Sequence, residues 1–282
     1  MVKEAPPCCT PGAHPALSNA QASALGLRKG RYVQLRVVAE VVAGSPAAAT
    51  RTTTDCYVSH PPRGTAVRGS VLVLHDIFGL YTGRHPQFCD ELAAVGWIAV
   101  CPDCFGDGKS RGEAALLPSW PIKGIWNLLD LVCRCKWGYM TKALKTPWEE
   151  IEPRCNAALR HAKQLYDAYE TEPMEAFAIG FCWGAWPVAR LLARKGGLLP
   201  SLPGEAPLPT LRGGVCFHPS LQVSGDVAGL AAAVAQPLLL APCSDDPCDV
   251  QPDGLVAQQL AVRPIDKLHG GSVTYQFHAA SC

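Results

Sequence analysis

One stretch of the chain reads Gly180-Phe181-Cys182-Trp183-Gly184, a thiol framed by two glycines. The apolar run Ala176-Phe-Ala-Ile precedes it and a helix-like stretch from Pro187 to Lys195 follows. A strand-to-helix turn sharp enough to expose its central side chain crowds its own backbone, and glycine on either side relieves the crowding. The amides that open the following helix then point at the projecting group and favour a thiolate. The amide of the next residue is placed to hold a developing oxyanion. These residue types at this spacing predict Cys182 as a nucleophile for acyl transfer. For G-x-C-x-G alone, a buried structural thiol beside two helix-entry glycines is the competing reading.

Further reactive side chains collect just after other apolar runs. They are His75-Asp76-Ile77-Phe78-Gly79, Cys101-Pro102-Asp103, Phe217-His218-Pro219-Ser220 and Cys243-Ser244-Asp245-Asp246-Pro247. The runs themselves are Gly69–His75, Trp97–Cys101, Ala176–Gly180, Gly214–His218, Pro237–Ala241 and Ser272–Phe277. Most are continuously apolar, the pattern of strands buried on both faces. Helical stretches lie between them at Phe88–Val95, Trp148–Tyr169, Pro187–Lys195 and Gly229–Ala235. That alternation predicts an α/β fold, a mostly parallel sheet with helices on both faces. In such sheets chemistry sits at the carboxyl ends of the strands, where these polar residues fall. Residues 1–52 read as a loosely ordered N-terminal segment with one weak strand at Arg31–Val38, and 53–282 as the α/β domain. Ile122–Tyr139, apolar and Trp-rich, reads as a helical excursion near the mouth of a site or as packing.

The chain has 282 residues, 48% of them hydrophobic and 17% charged, enough apolar material for a substantial core. A formal charge of +1 argues against nucleic acid or an acidic membrane surface as partner. No uncharged apolar run reaches the roughly 18 residues of a membrane span. The start, MVKEAPPCCTPGAHPAL, has neither the apolar centre of a secretory leader nor the Arg-rich pattern of a transit peptide, so a cytoplasmic address is expected. Fourteen cysteines scattered along so long a chain read as reduced thiols rather than a disulfide framework. Cys101-Pro-Asp-Cys104, with Cys133-Arg-Cys135 nearby, has the spacing of half a zinc site, but no second half follows. No metal and no cofactor are expected.

Val71-Leu-Val-Leu-His-Asp-Ile-Phe-Gly79, Cys101-Pro-Asp103, Gly180-Phe-Cys-Trp-Gly184 and His218-Pro-Ser220 together resemble the dienelactone hydrolase family, in order and in register from about Asp55 onward. The start, Cys8-Cys9…His14, is similar to eukaryotic members. The resemblance implies an α/β-hydrolase fold and a Cys-His-Asp triad that hydrolyses an ester or lactone through an acyl-thioester. It makes Cys182 the nucleophile and gives the oxyanion-hole amides to Ile77 and Trp183. Asp76 stands where the family often has a glutamate that receives the thiol proton. Asp246, or Asp245 beside it, is the triad acid, and Arg84 is a candidate for a substrate carboxylate. The triad histidine is expected near or just beyond Cys282. His278 lies about four residues early and is the candidate in the chain, while His218 is expected to line the pocket. The family's last helix is missing, so the C-terminal end is expected to be incomplete. Two other readings stand beside the enzyme. One is a relative that keeps the fold and pocket but acts as a binding module. The other is an amidotransferase-like protein, which calls for a late His-x-Glu pair that the chain lacks. Neither substrate nor oligomeric state is readable.

Overall fold

The computed structural model describes residues 29–38, 51–81, 84–106, 145–170, 172–193, 208–244 and 246–261. Their strands are β1 (Arg31–Val38), β2 (Arg51–Ser59), β3 (Gly69–Leu74), β4 (Trp97–Pro102), β5 (Ala176–Phe181), β6 (Leu211–Phe217) and β7 (Leu238–Ala241). Between and after them run the helices α1 (His85–Ala94), α2 (Trp148–Tyr166), α3 (Ala185–Leu192), α4 (Val227–Ala233) and α5 (Leu255–Ala261). The strands form one seven-stranded sheet in the order β1-β2-β4-β3-β5-β6-β7. β1 and β2 run antiparallel at one edge, and β4, β3, β5, β6 and β7 are parallel. This mostly parallel sheet with helices is the α/β-hydrolase arrangement.

The apolar runs become central strands because each feeds two cores. In β3, Val71 and Val73 face the core under α1, while Leu72 and Leu74 face the larger core under α2 and α3. In β4, Ala99 and Cys101 face the first side and Ile98 and Val100 the second. Strict alternation of side-chain direction with no polar face forces helices onto both sides. Each fully buried Leu or Ile adds roughly 1.5–3 kcal/mol of transfer free energy.

Two helices position the site. α2 buries Ile151, Cys155, Ala158, Leu159 and Ala162 along one stripe. From the same helix Arg154 Nη1 donates to the Cys104 carbonyl at 2.6 Å, fixing the loop after β4. α3 carries Pro187 at its third residue, inside the first turn, where the missing amide breaks no helical bond. Among the described residues no helix is long and apolar enough to cross a membrane. The second part of the half-zinc spacing (Cys133 and Cys135), the Ile122–Tyr139 excursion, the Ser272–Phe277 run, Asp245 and His278 lie outside the described residues.

Candidate active site

β5 runs straight into a single 3-10 turn, Cys182–Gly184, and then into α3. Cys182 has φ +52°, in the left-handed region that side chains other than glycine rarely enter. Holding it there costs on the order of 1 kcal/mol or more. The flanking glycines allow it. A Cβ on Gly180 would collide with the Gly184 carbonyl, and one on Gly184 would lie 2.6 Å from the His75 carbonyl oxygen and strike the Leu74 carbonyl. The turn therefore packs backbone to backbone against the end of β3.

The Cys182 thiol is half-buried and lies 3.4 Å from Ser220 Oγ. The Ser220 amide donates to the Cys182 carbonyl at 3.1 Å, joining the elbow to the turn after β6. His218 begins that turn. Its amide donates to Ala241 O at 3.0 Å, and its backbone sits at φ +48°. Cys182 and His218 are the two non-glycine residues with positive φ among the described residues. His218 Nδ1 is in close contact with Asp246 Oδ1. The Asp246 side chain is only 2% exposed, that of His218 34%. Asp246 Oδ2 accepts from the Cys243 amide at 2.7 Å, and Gln251 Nε2 donates to the Cys243 and Asp246 carbonyls at 2.8 and 3.1 Å. The acid is thus locked by its own loop while its other oxygen meets the imidazole.

The turn after β3 is fixed by a second histidine. His75 is fully buried, with Nδ1 2.7 Å from the Asp76 carbonyl and Nε2 accepting from the Cys104 amide at 3.0 Å. Those partners require the proton on Nδ1 and a neutral ring. Burial accordingly lowers the His75 pKa to about 4. Its ring stacks on Trp183, centroids 5.8 Å apart and 13° from parallel. One imidazole therefore braces both the carbonyl of Asp76 and the ring of Trp183.

Asp76 Oδ1 accepts from the Phe78 amide at 2.8 Å, and the Asp76 amide donates to His85 Nε2 at 3.3 Å. Asp76, Arg84, His85, Phe88, Glu91 and Phe181 line a cleft of about 400 Å³. Asp76 and Arg84 thus share one cleft, while Ser220 ties Cys182 to the turn after β6 and Asp246 meets His218 from the loop after β7. Ser220 carried no assigned role in the sequence, although His218-Pro-Ser220 marked its place. His75 and Cys243 had no signal separating them from ordinary strand-end residues.

Four other described thiols, those of Cys56, Cys101, Cys104 and Cys216, are held protonated by their surroundings. Cys101 and Cys104 are fully buried, and the Cys104 thiol leans toward the Pro102 carbonyl. Burial raises the Cys101 pKa, and contact with Cys155 followed by burial raises that of Cys104. Burial also pushes Cys216 and Cys56 up. The described cysteines are all free thiols.

The family model described as "Dienelactone hydrolase family" matches residues 55–202. A carboxymethylenebutenolidase homolog of Xenopus tropicalis is 26% identical over 162 residues, covering 57% of this chain and 50% of its own length. The chain thus spans about half the length of that curated relative. Among solved structures, the dienelactone hydrolase of Anabaena variabilis is 12% identical, with a TM-score of 0.43 over 77% of this chain and 74% of its own. The Pyrococcus horikoshii acylaminoacyl peptidase is 11% identical, with a TM-score of 0.48 over 86% of this chain and 37% of its own.

Proposed function

From the premise that the chain belongs to the dienelactone hydrolase family, we propose that it hydrolyses a small ester or lactone with Cys182 as nucleophile, His218 as base and Asp246 as the acid that orients it. One observation carries this reading. Cys182 is held in a strained left-handed turn between two glycines that tolerate no Cβ, with its sulfur outward against Ser220 and a His–Asp pair at the neighbouring strand ends. The base takes the thiol proton and the thiolate attacks the carbonyl carbon. The resulting oxyanion is received by the Ile77 and Trp183 amides. Collapse of the tetrahedral intermediate expels the alcohol, which the imidazolium protonates, and leaves an acyl-thioester on Cys182. Water, deprotonated by the same imidazole, then releases the acid and restores the thiol. In a lactone the alcohol and the acid are two ends of one product.

Asp246 favours His218 over His278 as the base, because its buried carboxylate already faces the His218 ring. Arg84, in the cleft beside Asp76, is suited to a substrate carboxylate. Cys182→Ala is expected to lower kcat for activated esters at least about 10³-fold with little change in folding, as loss of a nucleophile does elsewhere. Mass spectrometry of the unchanged chain after a rapid quench should find an acyl group on Cys182. Undiminished turnover by Cys182→Ala would refute the assignment. Full activity in His218→Ala with loss in His278→Ala would move the base to His278.

A further inference from the structure

The geometry points to a divalent metal site, suited to Zn²⁺, built from His218, Cys243 and Asp246, whose occupation silences the hydrolase. One ring nitrogen of His218, the Cys243 Sγ and a carboxylate oxygen of Asp246 lie within 4.8 Å of one another. Ligands at zinc bond lengths of about 2.0–2.3 Å in a tetrahedron sit roughly 3.3–3.8 Å apart, so the three atoms need only small rotamer adjustments. His218 Nδ1 and Asp246 Oδ1, now in close contact, would separate around the ion. One imidazole, one thiolate and one carboxylate make a borderline-soft donor set that suits zinc better than magnesium or calcium.

The surrounding shell resembles that of a built site. Cys243 and Asp246 are the ends of one tight turn, with the Asp246 amide donating to Cys243 O at 3.1 Å and the Cys243 amide donating back to Asp246 Oδ2. Gln251 holds both carbonyls of that turn. His218 arrives from the adjacent strand, pinned by its amide to Ala241 and turned by its positive φ toward the loop. Cys243 and Asp246 are buried and the His218 side chain is a third exposed, and water would complete the coordination as fourth ligand. On ligation the Cys243 thiol releases its proton to solvent and the ion takes the Nδ1 lone pair. Asp246 then neutralises metal charge instead of orienting the imidazole. The silencing rests on His218 as base; the binding does not.

The test uses the full-length reduced chain stripped of metal, with Co²⁺ as spectroscopic probe and Zn²⁺ as competitor. One equivalent of Co²⁺ should give a thiolate-to-cobalt charge-transfer band that Zn²⁺ displaces. Zn²⁺ should abolish ester turnover and a chelator restore it. Cys243→Ser removes the sulfur but keeps the backbone amide that holds Asp246. It should lose the band, bind Zn²⁺ at least about tenfold more weakly by calorimetry, and need at least about tenfold more Zn²⁺ to halve its own metal-free rate. His218→Ala should lose the band too, so the assignment does not hang on the folding of one variant. Cys182→Ala should keep it. No band in the unchanged chain, or a band that survives Cys243→Ser, overturns the site. Cobalt bound through Cys243 in a chain without ester turnover would leave the site standing and remove the hydrolase reading. Turnover as Zn²⁺-sensitive in Cys243→Ser as in the unchanged chain removes the site and leaves the hydrolase.

Discussion

His75 and His218 each stand one residue past the end of a central parallel strand, and their surroundings make them opposites. The His75 ring is sealed in, with both nitrogens spoken for by backbone groups and a neutral state imposed by burial. Such a ring can hold a turn in place but has no nitrogen left for proton transfer. The His218 ring is a third exposed, faces a buried carboxylate, and belongs to the same turn as the serine that touches the Cys182 thiol. A carboxylate on one ring nitrogen is what fixes the tautomer and stabilises the imidazolium of a working base. The difference teaches that two strand-end histidines are set apart by the partner of one ring nitrogen and by their exposure, neither of which a position in the chain dictates.

The sharpest way to break this contrast is to remove each ring. His218→Ala should lower kcat for activated esters by about 10²–10⁴-fold, the usual worth of general acid–base help, while leaving the thermal midpoint nearly unchanged. Steady-state kinetics alongside thermal melts check both halves. Turnover within a fewfold of normal would make the ring a wall of the pocket.

His75→Ala should do the reverse. It strips the Cys104 amide of its acceptor and opens a cavity beside Trp183, for a loss of about 2–4 kcal/mol in stability. The acid side of the same contrast follows from linkage. The folded-state pKa of about 4 lies below the unfolded value of about 6.5, so between those values the unfolded chain binds the extra proton. Stability from this ring is therefore intact above about pH 6.5 and falls as pH drops toward 4, by about 3 kcal/mol in all. Urea melts across that window should show the drop, and His75→Gln should flatten it. A slope unchanged by the substitution would assign the acid sensitivity to other groups.

The same contrast measures what was legible in the chain. The sheet was, because Val71-Leu-Val-Leu74 and Ala176-Phe-Ala-Ile179 admit no solvent face, and a strand without one is central in a covered sheet. The elbow was, because Gly180 and Gly184 are needed for local backbone reasons that a sequence carries directly. The antiparallel pairing of β1 with β2 was not, since Arg31–Val38 offers only a weak strand pattern and no hint of its partner. His75 and His218 could not be told apart, because what separates them is a Cys104 amide in one case and an Asp246 carboxylate in the other, both distant along the chain. Cys243 was named at a strand end but not singled out, since its sulfur comes within 4.8 Å of a His218 ring nitrogen only because β6 and β7 are neighbours. The Cys101–Cys104 spacing, which did look like half a metal site, belongs to thiols buried among one another.

Ser220 refines the contrast at the smallest scale. Its hydroxyl is the polar contact of the Cys182 sulfur among the described residues, and its amide separately fixes the elbow through the Cys182 carbonyl. Ser220→Ala keeps the amide and deletes the hydroxyl, so the fold and the strained turn should persist. A hydroxyl that donates to the thiolate is a hydrogen bond to a charged atom in a half-buried place, worth roughly 1.5 kcal/mol, which corresponds to about tenfold in rate. The expected result is a kcat about tenfold lower with KM little changed, and slower alkylation of Cys182 by iodoacetamide at neutral pH. Ser220→Thr, which restores a hydroxyl, should recover most of it. A loss as large as that of His218→Ala would place the serine in the proton path itself, and no loss at all would leave the imidazole acting on the sulfur without an intermediary.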